Sequence, residues 1–318
     1  MSPSLLKPLY DLKPICDISA LSLSLGLPEK LLINVARQTD NLYRKAKPII
    51  KPDGSIRQPF DALAPLKLIQ RRIKDRILKR VKFPEYLTGS LSGRSYRSNA
   101  AMHVGAKIVI CEDVDGFFPS TSQERILDIW RNFFRFSDEV AHLLTRLTTK
   151  GESLPQGAIT SSYLANLAFW DQEPRLQFAL SQRNIVYSRY VDDISISSKL
   201  VLSKEEQTAL IAKVYGMLKR HGYKAKRRKH ETFTSGSRMI TTKLVINRKP
   251  ALPPKDRQNI RAAVHALEKR LALGETGPEI KTELNRVTSR VGRLGTFHAT
   301  EASPLKLRLR KIRGAICS

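Results

Sequence analysis

The sequence predicts an α+β fold in which a small antiparallel sheet carries helices on one face and a basic helical domain follows. Short apolar, β-branched runs at 107–111 and 184–198 predict neighbouring strands. Apolar residues at helical spacing lie between and after these runs, most clearly over 204–222. After the proline-rich stretch 249–254 only helical patterns remain, so we place a domain boundary there.

The N-terminal part predicts short elements ahead of the main sheet. Residues 1–28 predict a short helical cap or arm, and residues 28–46 predict a helix. The turn signal at 52–54, Pro-Asp-Gly, has apolar runs on both sides and predicts a β-hairpin. Residues 63–82 place Leu and Ile at helical spacing among Arg and Lys, which predicts a basic amphipathic helix.

The rest of the chain alternates strands and helices before it becomes helical. Residues 191–193, Val-Asp-Asp, predict a tight turn between two strands, because Asp is a common turn residue. Thr121 and Glu124 have the spacing of a capping box, and Gly222 is typical of a helix end. The predicted elements are a strand at 107–111, a helix after 121, a helix over 160–180, strands within 184–198, a helix over 204–222, a strand-like segment at 239–247 and basic helices from 260 to 313.

The charge of the chain predicts a polyanionic partner. Its 318 residues contain 56 Lys and Arg against 29 Asp and Glu, a formal net charge of +27. Such an excess repels itself and is typical of proteins that bind a polyanion. Nucleic acid is the first candidate, and an anionic membrane surface is the second.

Other features of the composition favour a cytoplasmic location. Cys16, Cys111 and Cys317 are few and far apart, which is typical of a reducing compartment and differs from zinc-ligand spacing. No segment is apolar enough to span a membrane, and the N-terminus lacks the pattern of a secretion signal. We therefore expect a cytoplasmic protein with no membrane partner.

Acidic residues end one predicted strand and occupy the turn of a later hairpin. Asp113 follows the first strand directly, and Asp192 and Asp193 lie in the turn. Carboxylates suit Mg²⁺, and two such ions support nucleotidyl transfer by activating a hydroxyl and neutralising the leaving pyrophosphate. We predict that the three aspartates hold two Mg²⁺ ions, with the backbone carbonyl of Val114 as a further ligand.

The acidic segments have alternatives when each is taken alone. Asp115 competes with Asp113, which we favour because it directly follows the strand, and an Asp-Asp pair alone is more often a solvated turn. A third segment, Leu-Pro-Gln-Gly at 154–157, falls between them and opens a helix. The three segments, in this order on a strongly basic chain, predict a nucleic-acid polymerase.

These motifs resemble those of the reverse transcriptases, most closely the bacterial retron type. Residues 190–193, Tyr-Val-Asp-Asp, are similar to the catalytic hairpin of that family, and residues 113–120 are similar to its first catalytic strand. The segment 154–167 resembles the part that packs under the incoming nucleotide. Residues 99–103, Asn-Ala-Ala-Met-His, match the Asn-Ala-x-x-His element of retron enzymes. The resemblance spans roughly 57–247 and, more loosely, the basic tail.

The resemblance implies a right-hand polymerase with fingers, palm and thumb. Residues 1–250 would form interleaved fingers and palm, and residues 251–318 would form a small, basic, helical thumb that binds RNA. The finer division that it implies is fingers mainly at 28–106 and 120–155, and palm mainly at 107–119 and 156–250.

The resemblance also implies which residues contact the nucleotide. Phe118 would lie beneath the sugar and exclude a ribonucleotide 2′-hydroxyl, the alternative being plain core packing. Arg57 and Arg94 would contact phosphates, the alternative being surface arginines. Lys229 would protonate the pyrophosphate, or contact RNA as part of a basic cluster. The implied nucleotide-binding residues are Phe118, Gln156, Gly157, Arg57, Arg94 and Lys229.

The implied RNA contacts lie in the Asn-Ala-x-x-His element, in one strand-like segment and in the basic tail. His103 has a structural hydrogen-bonding role as its alternative. At 241–247 retron enzymes usually have Val-Thr-Gly followed by Leu-Val-x-Asn, and this chain departs by having Thr241 and Lys243 in place of the Val and the Gly. The implied RNA-binding residues are Asn99, His103, Lys243, Arg261, Lys269, Arg270, Arg308 and Arg310.

The function that the resemblance implies is RNA-directed DNA synthesis from deoxynucleoside triphosphates (dNTPs). Retron enzymes copy part of their own structured noncoding RNA, prime from an RNA 2′-hydroxyl and leave a short DNA joined to that RNA (msDNA). The resemblance further implies anti-phage defence together with an effector or toxin protein encoded nearby.

Three other functions compete with this one. A free-standing group II intron-like reverse transcriptase is disfavoured because the sequence ends soon after the predicted thumb, without room for large maturase or endonuclease domains. A diversity-generating enzyme typically lacks the Gln-Gly found at 156–157. A non-catalytic RNA-binding scaffold with the same fold has no reason to keep three crowded acids, because like charges repel.

Overall fold

A four-stranded antiparallel sheet organises the computed structural model, which describes residues 5–50 and 54–317. Three pairs of short strands accompany it. In chain order the strands are β1 (Tyr43–Lys45), β2 (Ile49–Ile50), β3 (Ile56–Arg57), β4 (Phe60–Ala62), β5 (Ile108–Asp113), β6 (Ile185–Tyr190), β7 (Asp193–Ser198), β8 (Glu231–Thr234), β9 (Ile240–Thr241) and β10 (Leu244–Val245). The main sheet has the order β6-β7-β5-β8, and the pairs are β1 with β4, β2 with β3, and β9 with β10.

Helices fill most of the remaining described residues. They are α1 (Ile18–Leu25), α2 (Glu29–Arg37), α3 (Leu66–Arg76), α4 (Tyr96–Met102), α5 (Gln123–Asp128), α6 (Asp138–Thr148), α7 (Ser161–Asn166), α8 (Glu173–Ser181), α9 (Lys204–Arg220), α10 (Pro254–Ala272), α11 (Pro278–Phe297) and α12 (Ala299–Cys317). A π-helical turn extends α5 over Ile129–Phe133. Short 3-10 turns lie at Thr39–Leu42, Leu78–Arg80 and Arg227–Lys229.

The main sheet is buried on both faces because β5 lies between two apolar clusters. Ile110 packs into the larger cluster, which contains the apolar residues of α1–α3, α5–α9 and β6–β7. Val109, on the opposite face of the strand, packs into a second cluster together with the β9–β10 hairpin and α10–α12. Cys111 Sγ also contacts the Ile240 carbonyl oxygen at 3.4 Å, which joins that hairpin to β5. The strand that ends in Asp113 is therefore held from both sides.

Several predicted boundaries differ from the structure for local reasons. The helix after residue 121 is capped by Ser122, since the Thr121 hydroxyl is buried and donates to the Phe117 carbonyl oxygen. The predicted helix over 160–180 is two helices, and Pro174 stands in the first turn of the second one, where proline is well tolerated. The predicted helix over 28–46 ends at Arg37, ahead of a 3-10 turn and β1.

Two further outcomes concern strands. β8 was not predicted, because Glu231–Thr234 is a polar segment that is paired only by tertiary contact with β5. The hairpin expected around Pro-Asp-Gly is present as the pairing of β2 with β3, while positions 51–53 lie outside the described residues.

Within the described ranges, no single helix is both long and apolar enough to cross a membrane. Only α1 and α2 taken together reach that length and composition, and they are bent by 102° at their junction.

Candidate active site

Asp113, Asp192 and Asp193 meet where β5 ends and the β6–β7 hairpin turns. Antiparallel pairing puts Asp113 opposite Asp193, and the hairpin register puts Tyr190 opposite the same residue. The Val114 N–H donates to the Asp192 carbonyl oxygen over 3.0 Å. The backbone ladder of the sheet therefore brings the three aspartates together.

Two cavities meet at Asp113 and Lys229, which line both of them. The larger cavity, about 600 Å³, also contains Asp192, and the smaller one, about 350 Å³, contains Asp193. Asp115 is exposed and lines neither. The other predicted residues that line the larger cavity are Val114, Arg57, Phe118 and Gln156.

Burial and mutual repulsion hold the pKa values of two aspartates above their ordinary range. Burial is the main cause at Asp193, whose pKa is raised to about 7, and the charges of Asp192 and Asp113 add to it. Burial likewise raises the pKa of Asp192. Lys229 Nζ lies 2.7 Å from Asp113 Oδ1; burial lowers the pKa of this lysine, but the bond to Asp113 and the aspartate charges outweigh burial and raise it.

The donor chemistry of the three aspartates fits a divalent cation. In the part of the chain that the structure describes, no three acidic, histidine or cysteine side chains form a metal site by themselves. Mg²⁺ does not require such a cage, because it keeps several waters and takes phosphate oxygens as ligands. Burial, and then the neighbouring negative charges, raise the pKa values of Asp192 and Asp193, and a bound cation would favour their charged forms.

The wall of the larger cavity depends on a close backbone contact at Gly157. Gly157 has φ +101°, and a Cβ at this position would lie 2.8 Å from the Phe60 carbonyl oxygen. The Phe60 N–H donates to the Gln156 carbonyl oxygen over 2.7 Å. Gly157 itself does not line the cavity, so its effect is to let the Gln156 segment pack against the β3–β4 loop. Phe118, which also lines this cavity, contacts the buried ring of Phe117 edge to face at 6.0 Å.

Sequence reasoning missed several residues of this region. Lys150 and Phe60 line the larger cavity, and the ammonium of Lys150 lies 5.2 Å from the centre of the Phe60 ring. Lys226 also lines this cavity, and its backbone N–H donates to the Asp113 carbonyl oxygen over 2.7 Å. A buried ion pair between Arg189 and Glu173, 2.6 Å apart, lies next to the turn at Val191. The position of Arg189 just before Tyr-Val-Asp-Asp was the one signal in the sequence.

The geometry of Arg94 does not support the predicted phosphate contact. Its guanidinium donates to the carbonyl oxygens of Phe83, Pro84 and Leu87. The side chain is half-buried and lines neither cavity at the aspartates. Arg94 therefore stabilises the loop that precedes α4, and the reason is that three carbonyl groups of this loop need donors.

The predicted RNA contacts at Asn99 and His103 are wrong for this structure because both side chains are buried. Asn99 Nδ2 donates to Thr88 Oγ1 and Ser188 Oγ, each at 2.8 Å. The two ring nitrogens of His103 pair with Ser197 Oγ and Ser188 Oγ, each at 2.7 Å. Burial lowers the pKa of His103 to about 4, so the ring is neutral and structural, which is the alternative given above.

Lys243 lies in the turn between β9 and β10 and lines the smaller cavity with Asp193. Thr242 and Lys243 have φ values of +45° and +65°, the left-handed region in which glycine is favoured. The neighbouring departure, Thr241, is buried and its hydroxyl pairs with Ser195 Oγ at 2.6 Å. Thr241 is thus accommodated by a hydrogen bond, whereas Lys243 adopts a backbone conformation that is strained for a residue other than glycine.

The predicted RNA contacts in the C-terminal helices fall into two groups. Arg261, Arg270 and Arg308 are paired with Glu301, Glu275 and Glu268. Lys269 and Arg310 are exposed on α10 and α12.

Comparisons with known proteins agree with these motifs. Residues 49–267 match the family model described as "Reverse transcriptase (RNA-dependent DNA polymerase)". The chain is 34% identical over 310 residues to the Retron Se72 reverse transcriptase of Salmonella heidelberg (strain 579083-10), which covers 96% of this chain and 82% of that protein. It is 30% identical over 315 residues to the Retron Ec48 reverse transcriptase of Escherichia coli, covering 94% of this chain and 77% of that one.

The raised pKa of Asp193 predicts a pH-dependent cost to folding in chelator-treated protein. The folded-state pKa of about 7 exceeds the ordinary value of 3.8, so the cost is absent at low pH, grows between these two values and is complete above them. At about pH 8, Asp193→Asn should raise the free energy of unfolding by roughly 1–3 kcal/mol, allowing for partial exposure. Denaturation in EDTA from about pH 4 to pH 8 measures it, and the difference should vanish at the acid end.

The matched control for this experiment is Asp115→Asn, which removes the same charge from an exposed position next to the site. An equal gain in both variants would mean that net charge, rather than crowding at the aspartates, causes the effect.

Proposed function

The chain belongs to the reverse transcriptases, in their bacterial retron type, and is an RNA-directed DNA polymerase, and from this we propose that it copies part of its own structured noncoding RNA into a short DNA that stays joined to the RNA. The larger cavity is the observation that carries the proposal, because it combines Asp113 and Asp192 with Arg57, Phe118 and Gln156 in one nucleotide-sized space. A scaffold without catalysis would gain nothing from buried acids with raised pKa values.

In this proposal Asp113, Asp192 and Asp193 hold two Mg²⁺ ions, helped by the Val114 carbonyl. When bound, the ions lower the pKa of the attacking hydroxyl and neutralise the leaving pyrophosphate. Among the cations of this cavity, Lys229 bonds to Asp113, and its raised pKa keeps it protonated there. Lys229 thus supplies a proton and a positive charge where pyrophosphate departs.

The remaining cavity residues select and orient a dNTP. Phe118, backed by Phe117, sits at the cavity wall where a sugar 2′-hydroxyl would collide with the ring. Arg57 offers its guanidinium to the triphosphate. Gln156 forms another part of the wall, and Gly157 lets its backbone pack on Phe60. Arg94 is left out of this set because its donors serve loop carbonyls.

We assign residues 251–318 as the thumb and the preceding residues as interleaved fingers and palm. α10–α12 pack on one another and share an apolar cluster with the β9–β10 hairpin, so a helical unit lies next to the smaller cavity. Helix-borne Lys and Arg suit the phosphates of A-form RNA, whose major groove is too narrow for side chains. Lys269 and Arg310 are the exposed cations proposed for this contact.

The biological part of the proposal follows the retron relatives. The RNA would serve as both template and primer, with synthesis starting from one of its 2′-hydroxyl groups. The product would be msDNA, and the complex would act in anti-phage defence with an effector protein encoded nearby. The support for this part is the similarity to the Retron Se72 and Retron Ec48 reverse transcriptases over most of the chain.

The first test compares wild type with Asp192→Asn after expression with the native flanking DNA. Asp192→Asn should abolish DNA synthesis, because it removes a metal ligand, and should leave RNA affinity unchanged or improved, because it removes a negative charge. The nucleic acid that co-purifies is treated with RNase or DNase and sized. RNA-linked short DNA in wild type alone is the expected result, and RNA without DNA in both samples would contradict the proposal.

The second test concerns Lys243, which we propose as an RNA contact. Lys243→Gly should leave the free energy of unfolding unchanged or raise it by up to about 1 kcal/mol, because glycine adopts φ +65° without strain. The same change should lower RNA affinity several-fold and reduce the salt slope of binding by about 1, because one phosphate contact is lost. Thermal melts and a salt titration of RNA binding measure both.

Lys243→Arg, which retains the charge, is the control and should bind RNA nearly as well as wild type. Equal RNA affinity in Lys243→Gly and wild type would remove Lys243 from the RNA interface.

A further inference from the structure

The turn that presents Asp192 is held in a conformation that its sequence disfavours. Val191 has φ +60°, a left-handed region that is costly for a β-branched residue. Glycine would occupy this position without strain, yet the chain has valine. Such a conformation persists only where the surrounding structure determines it, so contacts around the turn must hold it in place.

Arg189, Glu173 and Tyr187 form a buried cluster beneath this turn, called here the Arg189 clamp. The guanidinium of Arg189 is fully buried and donates to both carboxylate oxygens of Glu173, at 2.6 and 2.8 Å. It also donates to the carbonyl oxygens of Val191 and Asn166, each at 3.0 Å. Tyr187 OH donates to Glu173 Oε1 over 2.7 Å. One side chain thereby joins the turn to the end of α7 and the start of α8.

The same guanidinium reaches the wall of the nucleotide cavity through aromatic rings. Its central carbon lies 5.6 Å from the Phe117 ring centre and 5.3 Å from that of Phe169. Phe117 in turn contacts Phe118, which lines the cavity. Arg189 therefore contacts both the turn that carries Asp192 and the aromatic rings behind the cavity wall.

Gly89 closes on the turn from the opposite side. A Cβ at Gly89 would lie 2.4 Å from the Val191 backbone nitrogen, so this approach is open only to glycine. Thr88 N–H donates to the Arg189 carbonyl oxygen over 2.9 Å, and Asn166 Nδ2 donates to the Gly89 carbonyl oxygen over 2.8 Å. The strained turn is thus enclosed between the clamp and the Thr88–Gly89 backbone.

Stability alone does not account for the clamp. Burying an ion pair has a large desolvation cost, and apolar residues of similar volume often stabilise a core equally well or better. What apolar residues cannot do is donate to the carbonyl oxygens of Val191 and Asn166. We propose that Arg189 and Glu173 are positioning residues for DNA synthesis, which hold the turn so that Asp192 faces the nucleotide cavity. This inference rests on the proposed function of the site.

The test replaces the clamp by apolar residues of similar size, in the triple variant Arg189→Met, Glu173→Leu, Tyr187→Phe. We expect the variant to fold with a melting temperature moderately below that of wild type, since no unpaired charge remains but the carbonyl oxygens of Val191 and Asn166 lose their donor. We expect kcat for dNTP incorporation on a primed RNA template to fall about tenfold or more while KM for dNTP changes by less than about threefold. Mn²⁺ affinity, measured by electron paramagnetic resonance without nucleotide, should fall as well.

The control removes another ion pair, which is partly buried. Arg125 donates to Asp171 over 2.6 Å and to Asp128 over 2.7 Å, and the side chains of Arg125 and Asp171 are 12% and 31% exposed. Arg125→Met with Asp171→Leu should leave kcat and Mn²⁺ affinity as in wild type. Arg189→Lys keeps a cation but loses the forked set of donors. Its kcat and Mn²⁺ affinity should lie between those of wild type and those of the triple variant.

Gly89→Ala tests the same positioning from the other side of the turn, with Gly216→Ala, whose Cβ meets open space, as its control. We expect Gly89→Ala to lower kcat and Mn²⁺ affinity and Gly216→Ala to change neither. The inference is overturned if the folded triple variant keeps both wild-type values, or, should that variant not fold, if Gly89→Ala keeps them. Absence of DNA synthesis in wild type would instead contradict the proposed function, and the Mn²⁺ comparison would still decide the positioning role.

Discussion

Repulsion among three carboxylates is the constraint around which this structure is arranged. Asp113, Asp192 and Asp193 are brought together by strand register, and burial removes the water that would otherwise screen them. A protein tolerates such a cluster only with compensating cations and a rigid frame. Lys229 bonds to Asp113 directly, and the charges of Lys229 and Lys243 offset part of the burial and repulsion that raise the pKa of Asp193. Divalent ions would complete the balance.

The frame has two parts that meet at β5. This strand packs between the main apolar cluster and the cluster that includes the C-terminal helices. Packing on both faces therefore fixes the position of Asp113 at its end. In the partner turn, Val191 is only partly buried against the main cluster. A hydrogen bond from Arg189 and the close approach of the Gly89 backbone add to that packing. Apolar packing therefore positions one half of the site, and the other half also needs directional hydrogen bonding.

Much of this was predictable from the sequence, because the relevant signals are local. The run before Asp113 and the helix at 204–222 have the period of the elements that they form, and the Asp pair marks the location of the hairpin turn. The contacts of Arg94, Asn99 and His103 were mispredicted because a motif shows that a residue matters without showing whether its side chain is exposed. Burial decides that, and burial depends on segments such as β6 and β7 that lie far along the chain.

The two strained turns show why the rest could not be predicted. Val191 and Lys243 adopt φ values that local sequence statistics assign to glycine, so a local rule would predict a different turn at both sites. Val191 is stabilised there by Arg189 and the Asn166 segment, and Lys243 by pairing of β9 with β10 and their packing on β5. Apart from the β9–β10 pairing, these contacts join segments that are distant in the sequence. Local preference yields to tertiary structure where the aspartates must be placed, which is where a functional site is expected to depart from local rules.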